Sequence, residues 1–240
     1  LIGGLAGDLL TDADFNVAIG ASALSGDTLG SKSIAIGQGA LSTQNFTSAT
    51  DSFNTAVGHN SGQSVTTGRF NTLFGGLSGD AITDAQGNTA LGYDALGSEV
   101  RGNRAVAVGH AALSSQSFSS STANYNVAVG YFAGEAITTG LNNTLIGGLA
   151  GDLLTDANNN VAVGYNALGS DVEGGNTVAI GANALSTLNV ADGVSTFNVA
   201  VGDSAGNSVT EGVQNTLIGG LAGDALTHAD FNIAVGYNAL

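Results

Sequence analysis

The chain has 240 residues, 19 acidic against four basic ones, a net charge of −15, and no Cys, Pro, Met or Trp. Four cations (Lys32, Arg69, Arg101, Arg104) are too few for a nucleic-acid footprint or a polybasic membrane contact. No run approaches the ~20 apolar residues of a membrane span, and without cysteine there is neither a disulfide framework nor thiol chemistry.

Glycine punctuates the chain. Fourteen glycines from Gly3 to Gly236 are separated by 17, 17, 21, 17, 17, 17, 21, 17, 17, 17, 21, 17 and 17 residues. The unit is a rung of 17 residues, stretched to 21 once in four, and the super-repeat is 72 residues. A fixed short period means stacked supersecondary units rather than a globular domain. Residues 1–240 therefore read as one continuous array. The chain starts and stops inside a rung and has no Met, so it reads as a piece of a longer protein.

Each rung opens, four residues before its glycine, with Asn in ten of thirteen cases; Ser33, Ala105 and Thr177, all in the long rung, are the exceptions. Stacked identical amides are expected to hydrogen-bond up the array as a ladder. A β-branched residue follows (Val17, Thr55, Thr72, Val127), then Ala or Leu, then a bulky apolar residue (Ile19, Val57, Phe74, Val129), then the glycine. This is a short strand ended by a corner that needs glycine. The next column holds His59, Tyr93, His110, Tyr131, Tyr165, Asp203 and Tyr237, an exposed corner. Three residues past the glycine stands only Ala or Ser, facing something close. Segments such as Gly7–Thr11 and Gly134–Thr138 then read as a second short strand.

Two strands and two turns per rung predict an all-β parallel β-solenoid, a flat β-roll. At ~4.8 Å per rung, the window is about 65 Å tall. Alternation along Asn126-Val127-Ala128-Val129-Gly130 sends Val127 and Val129 to one side and Ala128 to the other. The Ala column becomes Leu at Leu1, Leu73, Leu145 and Leu217. Both sides are apolar while a single roll has one interior. The Ala/Leu face is therefore expected to bind identical chains, as a homotrimer.

The strings Asn54-Thr55-Ala56-Val57-Gly58, Thr177-Val178-Ala179-Ile180-Gly181 and Asn232-Ile233-Ala234-Val235-Gly236-Tyr237-Asn238-Ala239-Leu240 resemble the head repeats of trimeric autotransporter adhesins. Similar repeats occur in phage tail fibres and bacterial surface fibre proteins. The resemblance covers the whole window. It implies a left-handed roll, three chains side by side, and an extended fibre on a cell or virion. These rungs are longer than those of adhesin heads.

No catalytic constellation is visible. Enzymes on parallel β-helices need clustered carboxylates with a cation, and four basic residues argue against one. Asp8 with Asp12 is a conceivable calcium pair, weighed against solvated turn carboxylates. Thr11, Thr66, Thr83, Thr138, Thr155, Thr210 and Thr227 form an interrupted array of the kind that ice-binding solenoids present. The long-rung loops Ser42–Phe53, Ser114–Tyr125 and Ser186–Phe197 carry aromatics, and read either as contact loops or as packing repairs. Catalytic, cofactor and metal residues are thus expected to be none. The expected function is a structural and adhesive extracellular fibre segment with a host-surface or glycan receptor. A phage tail-fibre shaft binding a glycan receptor, and a self-assembling bacterial filament, stand as alternatives.

Overall fold

The computed structural model describes residues 1–190 and 193–240. All regular structure among them is β, with no helix, and the protein is a β-solenoid of parallel stacked strands. Two compact units, Leu1–Asn124 and Tyr125–Leu240, are built to one plan. In the first, strands Val17–Ile19, Ile34–Ile36, Thr55–Val57, Thr72–Phe74, Thr89–Leu91 and Val106–Val108 pair in parallel, each with the next. In the second, the strands are Val127–Val129, Thr144–Ile146, Val161–Val163, Val178–Ile180, Val199–Val201, Thr216–Ile218 and Ile233–Val235. The register sets each column on itself: Val17 faces Ile34, Ala18 faces Ala35 and Ile19 faces Ile36. The long rung adds small two-residue pairings, Gly30–Ser31 with Thr50–Asp51 and Gly102–Asn103 with Thr122–Ala123.

Stacking explains the rung glycine. At Gly75 φ is +138°, and a methyl group there would run into the carbonyl of Gly92 in the next rung. Only glycine has both the conformation and the room.

The second strand expected at Gly7–Thr11 and its equivalents does not form; turns take its place. Two residues in each such turn are left-handed, for example Leu77 (φ 57°) and Gly79 (φ 54°). Left-handed residues interrupt a strand. The turn stays tied to its neighbours, since Leu77 N donates to His59 O at 2.9 Å and Gly79 N to Ala95 O at 2.9 Å. Bonding to the rungs on either side satisfies the backbone without a second sheet.

The assignment of the Ala/Leu face to a partner chain is corrected by burial. In all thirteen strands the middle residue is buried and both flanking residues are not. Ala18, Ala56, Leu73, Ala128 and Leu145 are 0% exposed within one chain, so this column is the interior. The uncovered side carries the flanking residues: Val17 is 40% exposed, Phe74 50% and Leu91 46%. Alternation separates the middle residue from its two neighbours, but it cannot say which of two apolar sides turns inward.

Interior volume is held constant by paired exchanges. Where the strand brings Leu73, the facing turn positions are Gly62 and Gly79; a Cβ there would lie 2.7 and 2.8 Å from Leu73. In the rungs of Ala18 and Ala90 the turn supplies Leu24 or Leu96, each fully buried, while in the rung of Ala56 the turn position is Gly62 and Leu73 of the next rung fills the space with Leu41 and Val65. Large opposite small keeps the core at solid density.

The asparagine ladder runs mainly to the backbone. Asn71 Nδ2 donates to Ala85 O at 2.9 Å, bridging its own rung, while its Oδ1 accepts the Asn88 N–H at 3.0 Å from the next. Asn54, Asn88, Asn126, Asn143, Asn160 and Asn198 repeat the pattern. Direct amide-to-amide bonds occur at Asn143–Asn126 and Asn232–Asn215.

Candidate functional site

Five residues before each rung glycine lies a column that the sequence reading did not single out. All of it is left-handed, with φ between 51° for Phe53 and 70° for Gly87. This conformation turns each side chain outward from the edge of the roll. In the first unit the column reads Phe15, Lys32, Phe53, Phe70, Gly87, Arg104. Phe53 and Phe70 stack with centroids 5.8 Å apart and planes 13° apart. Lys32 Nζ sits 5.2 Å from the Phe53 centroid and pairs with Asp51 at 2.6 Å. The Arg69 guanidinium lies 4.7 Å from the Phe70 centroid, and its Nε donates to Asp51 O in the rung of Phe53. Phe70 is thus in contact with the ring of Phe53 and with a guanidinium tied to the rung of Phe53.

On the other side of Phe70 the column loses its side chain at Gly87. A Cβ there would meet one atom within 4 Å, Arg104 Cγ at 3.9 Å. The gap is the floor of a cleft of about 530 Å³ lined by Phe70, Gln86, Gly87, Asn103, Arg104, Ser121 and Ala123. Asn103 is held in place: its Oδ1 accepts the Gln86 N–H at 2.6 Å and its Nδ2 donates to Ser121 Oγ at 3.0 Å. A phase-locked column containing three Phe, two cations and a single Gly was the available signal in the sequence.

In the second unit the same column reads Tyr125, Asn142, Asn159, Asn176, Phe197, Gln214, Phe231, with no gap. Asn142 Nδ2 donates to Asn159 Oδ1 at 3.3 Å. A smaller cleft of about 230 Å³ beside it is lined by Asp156, Asn158, Asn159, Glu173 and other small or polar residues.

The remaining candidates fall into place individually. Tyr93, Tyr131, Tyr165 and Tyr237 are exposed corners, and the Tyr93 ring stacks on His110 at 5.5 Å. His59 is exposed as well, and His228 Nε2 lies 4.0 Å from a Glu211 carboxylate oxygen. The Thr column is engaged in structure: Thr66 Oγ1 donates to Thr83 O, Thr83 to Val100 O and Thr138 to Thr155 O, each in the next rung. Among the described residues no group of three or more His, Asp or Glu is placed to hold a metal ion. Asp80 and Asp152 are pushed up from the usual carboxylate range, first by burial; a nearby Asp94 or Glu135 adds to this. Of the long-rung aromatics, Phe46 and Phe118 are packing residues, 5% and 7% exposed. Phe53, Tyr125 and Phe197 point to solvent; residues 191 and 192 of the third loop lie outside the described residues.

A buried acidic row also escaped the sequence reading. Asp27, Glu99 and Asp171, 72 residues apart, are fully buried. Asp27 accepts the Gly30 and Phe46 N–H groups and the Gln44 amide at 2.6 Å. Glu99 accepts those of Gly102 and Phe118 and the Gln116 amide at 2.7 Å. In the third super-repeat Leu188 replaces the glutamine, and Asp171 Oδ2 is left buried without a partner. Desolvation pushes its carboxyl up to about 6, against bonds from the Gly174, Val190 and Val172 backbone.

Comparison with protein-family models, with curated proteins and with solved structures returns no match.

Proposed function

We propose that this chain is a structural and adhesive segment of an extracellular fibre. Copies pack side by side through the outer face of the strand column, and the loops at the edge of the roll contact a surface. The observation that carries this reading is the pair of uncovered side chains on every strand. These positions hold only Val, Ile, Leu, Phe and Thr, with no charge at any of them. The interior is complete without them, so they are not needed for the fold of one chain. A continuous apolar surface of this kind on a soluble protein marks a contact. Its ridges repeat at the rung spacing, which a second copy of the same chain also has. The resemblance to trimeric adhesin heads favours three copies around one axis, a closed arrangement in which each outer face is covered.

Sedimentation equilibrium tests the assembly. The expected mass is three times the 23.4 kDa of one chain. Replacing Ile146 and Ile218, 39% and 42% exposed, by Lys is expected to release monomers that remain folded. A monodisperse monomer for the parent chain refutes the lateral packing. Retention of chain-coated beads on cells tests the adhesive part, and beads that wash off refute it.

A further inference from the structure

The cleft at Gly87 has the build of a site for one flat-faced ligand. Thirteen residues occupy that edge column, and Gly87 is the only one without a side chain. Its neighbours in the column, Phe70 and Arg104, are two rungs apart, about 9.6 Å at the spacing of stacked strands. A planar aromatic ring sandwiched between two groups fills about 7 Å, one van der Waals contact of about 3.5 Å on each face. A puckered ring with axial hydrogens is thicker and fits the wider gap better. Phe70, whose ring lines the cleft, suits such a ring, since polarised C–H groups settle on the negative face of an aromatic. Gln86 and Ser121 line the flank with an amide and a hydroxyl, and Asn103 Oδ1, which accepts one bond from Gln86 N–H, has a second lone pair for a sugar hydroxyl. Arg104 at the far wall supplies a planar fork for a carboxylate. It is one of four cations in a chain of net charge −15, so a positive wall here is selective rather than generic.

We propose that the slot over Gly87, between Phe70 and Arg104, binds a single anionic pyranose residue of a surface glycan. This rests on the adhesive reading above and gives it a place and a ligand class. The ring lies on Phe70, its hydroxyls bond to Gln86, Asn103 and Ser121, and its carboxylate meets Arg104. The second unit has no such slot, because Asn159 stands at the position equivalent to Gly87.

Asn159 also supplies the control. Gly87→Asn fills the slot with a residue that the column accepts at φ 61° in Asn159 and 59° in Asn142, so the variant is expected to fold as the parent does. The probes are methyl β-D-glucuronide and methyl β-D-glucoside, followed by saturation-transfer NMR on the intact chain. Transfer is expected to the ring protons of the glucuronide, with millimolar affinity. Gly87→Asn and Phe70→Gln are each expected to weaken binding at least tenfold. Arg104→Gln is expected to reduce glucuronide binding to the level of the glucoside. Undiminished transfer in Gly87→Asn, or none from either sugar to the parent, overturns the slot. If beads coated with Gly87→Asn are retained like the parent and its transfer is unchanged, the slot is wrong and the adhesive reading stands. If parent beads wash off while the glucuronide still binds the parent and not the variant, the adhesive reading is wrong and the slot stands.

Discussion

Leu188→Gln should stabilise the protein, although it places an amide in the core. The reason lies one and two super-repeats earlier, where Gln44 and Gln116 occupy the same position and donate to Asp27 and Glu99. Asp171 has lost that donor, and burial pushes its carboxyl from 3.8 up to about 6. A raised carboxyl binds its proton more tightly in the folded chain, so keeping it ionised at neutral pH costs about 3 kcal/mol of stability. That cost is absent below pH 3.8, grows as pH rises and is complete above about 6. A charge-assisted hydrogen bond recovers about 1.5–3 kcal/mol, and leucine and glutamine differ little in volume. Thr177 and Asn198 stand where Ser33 and Asn54 contact Gln44, so the remaining amide atoms also find partners. The expected gain at pH 7.5 is about 1.5–3 kcal/mol, shrinking toward zero by pH 3.5. Native-state hydrogen exchange at the Gly174 and Val190 amides reads it locally, which suits an array whose rungs open individually. No gain at pH 7.5, or an equal gain at pH 3.5, shows that the unpartnered Oδ2 of Asp171 does not weaken this rung.

The parent chain should gain stability as pH falls from about 6.5 to 4, and Asp171→Asn should flatten that part of the profile in acid titrations followed by circular dichroism. Asn71→Ala leaves the buried Ala85 carbonyl and Asn88 N–H without partners; a loss of about 2–4 kcal/mol in urea unfolding is expected. Leu73→Ala opens a cavity opposite Gly62 and Gly79, which cannot fill it, so the cost should fall at the upper end of the ~2–5 kcal/mol range for such truncations in a thermal melt. Gly75→Ala combines a left-handed backbone with a clash against the Gly92 carbonyl, and should cost more than about 3 kcal/mol or prevent folding, judged by soluble yield and melting temperature.

The solenoid was legible because a period is a property of order alone. Glycine steps of 17 and 21, the Asn column and the β-branched column determined a stacked parallel β-array, since identical rungs bury identical columns on one another. The strand at Thr55–Val57 and the corner at Gly58 needed no coordinates. Three features did. The sequence put an apolar residue on each side of every strand, and only the closing of the roll decided that Ala56 and Leu73 face inward while Val57 and Phe74 do not. The second strand at Gly79–Thr83 failed because left-handed residues at Leu77 and Gly79 route the backbone bonds to the rungs on either side, a choice made by the stack and not by local propensity. The slot at Gly87 and the stranded carboxylate of Asp171 are both vacancies in a repeating column. A one-residue departure from a period is visible in the sequence. Its meaning depends on whether the missing side chain faced solvent, where it leaves a cleft, or the core, where it leaves a partner unsatisfied. Burial makes that distinction, and burial is set by the packed rungs together.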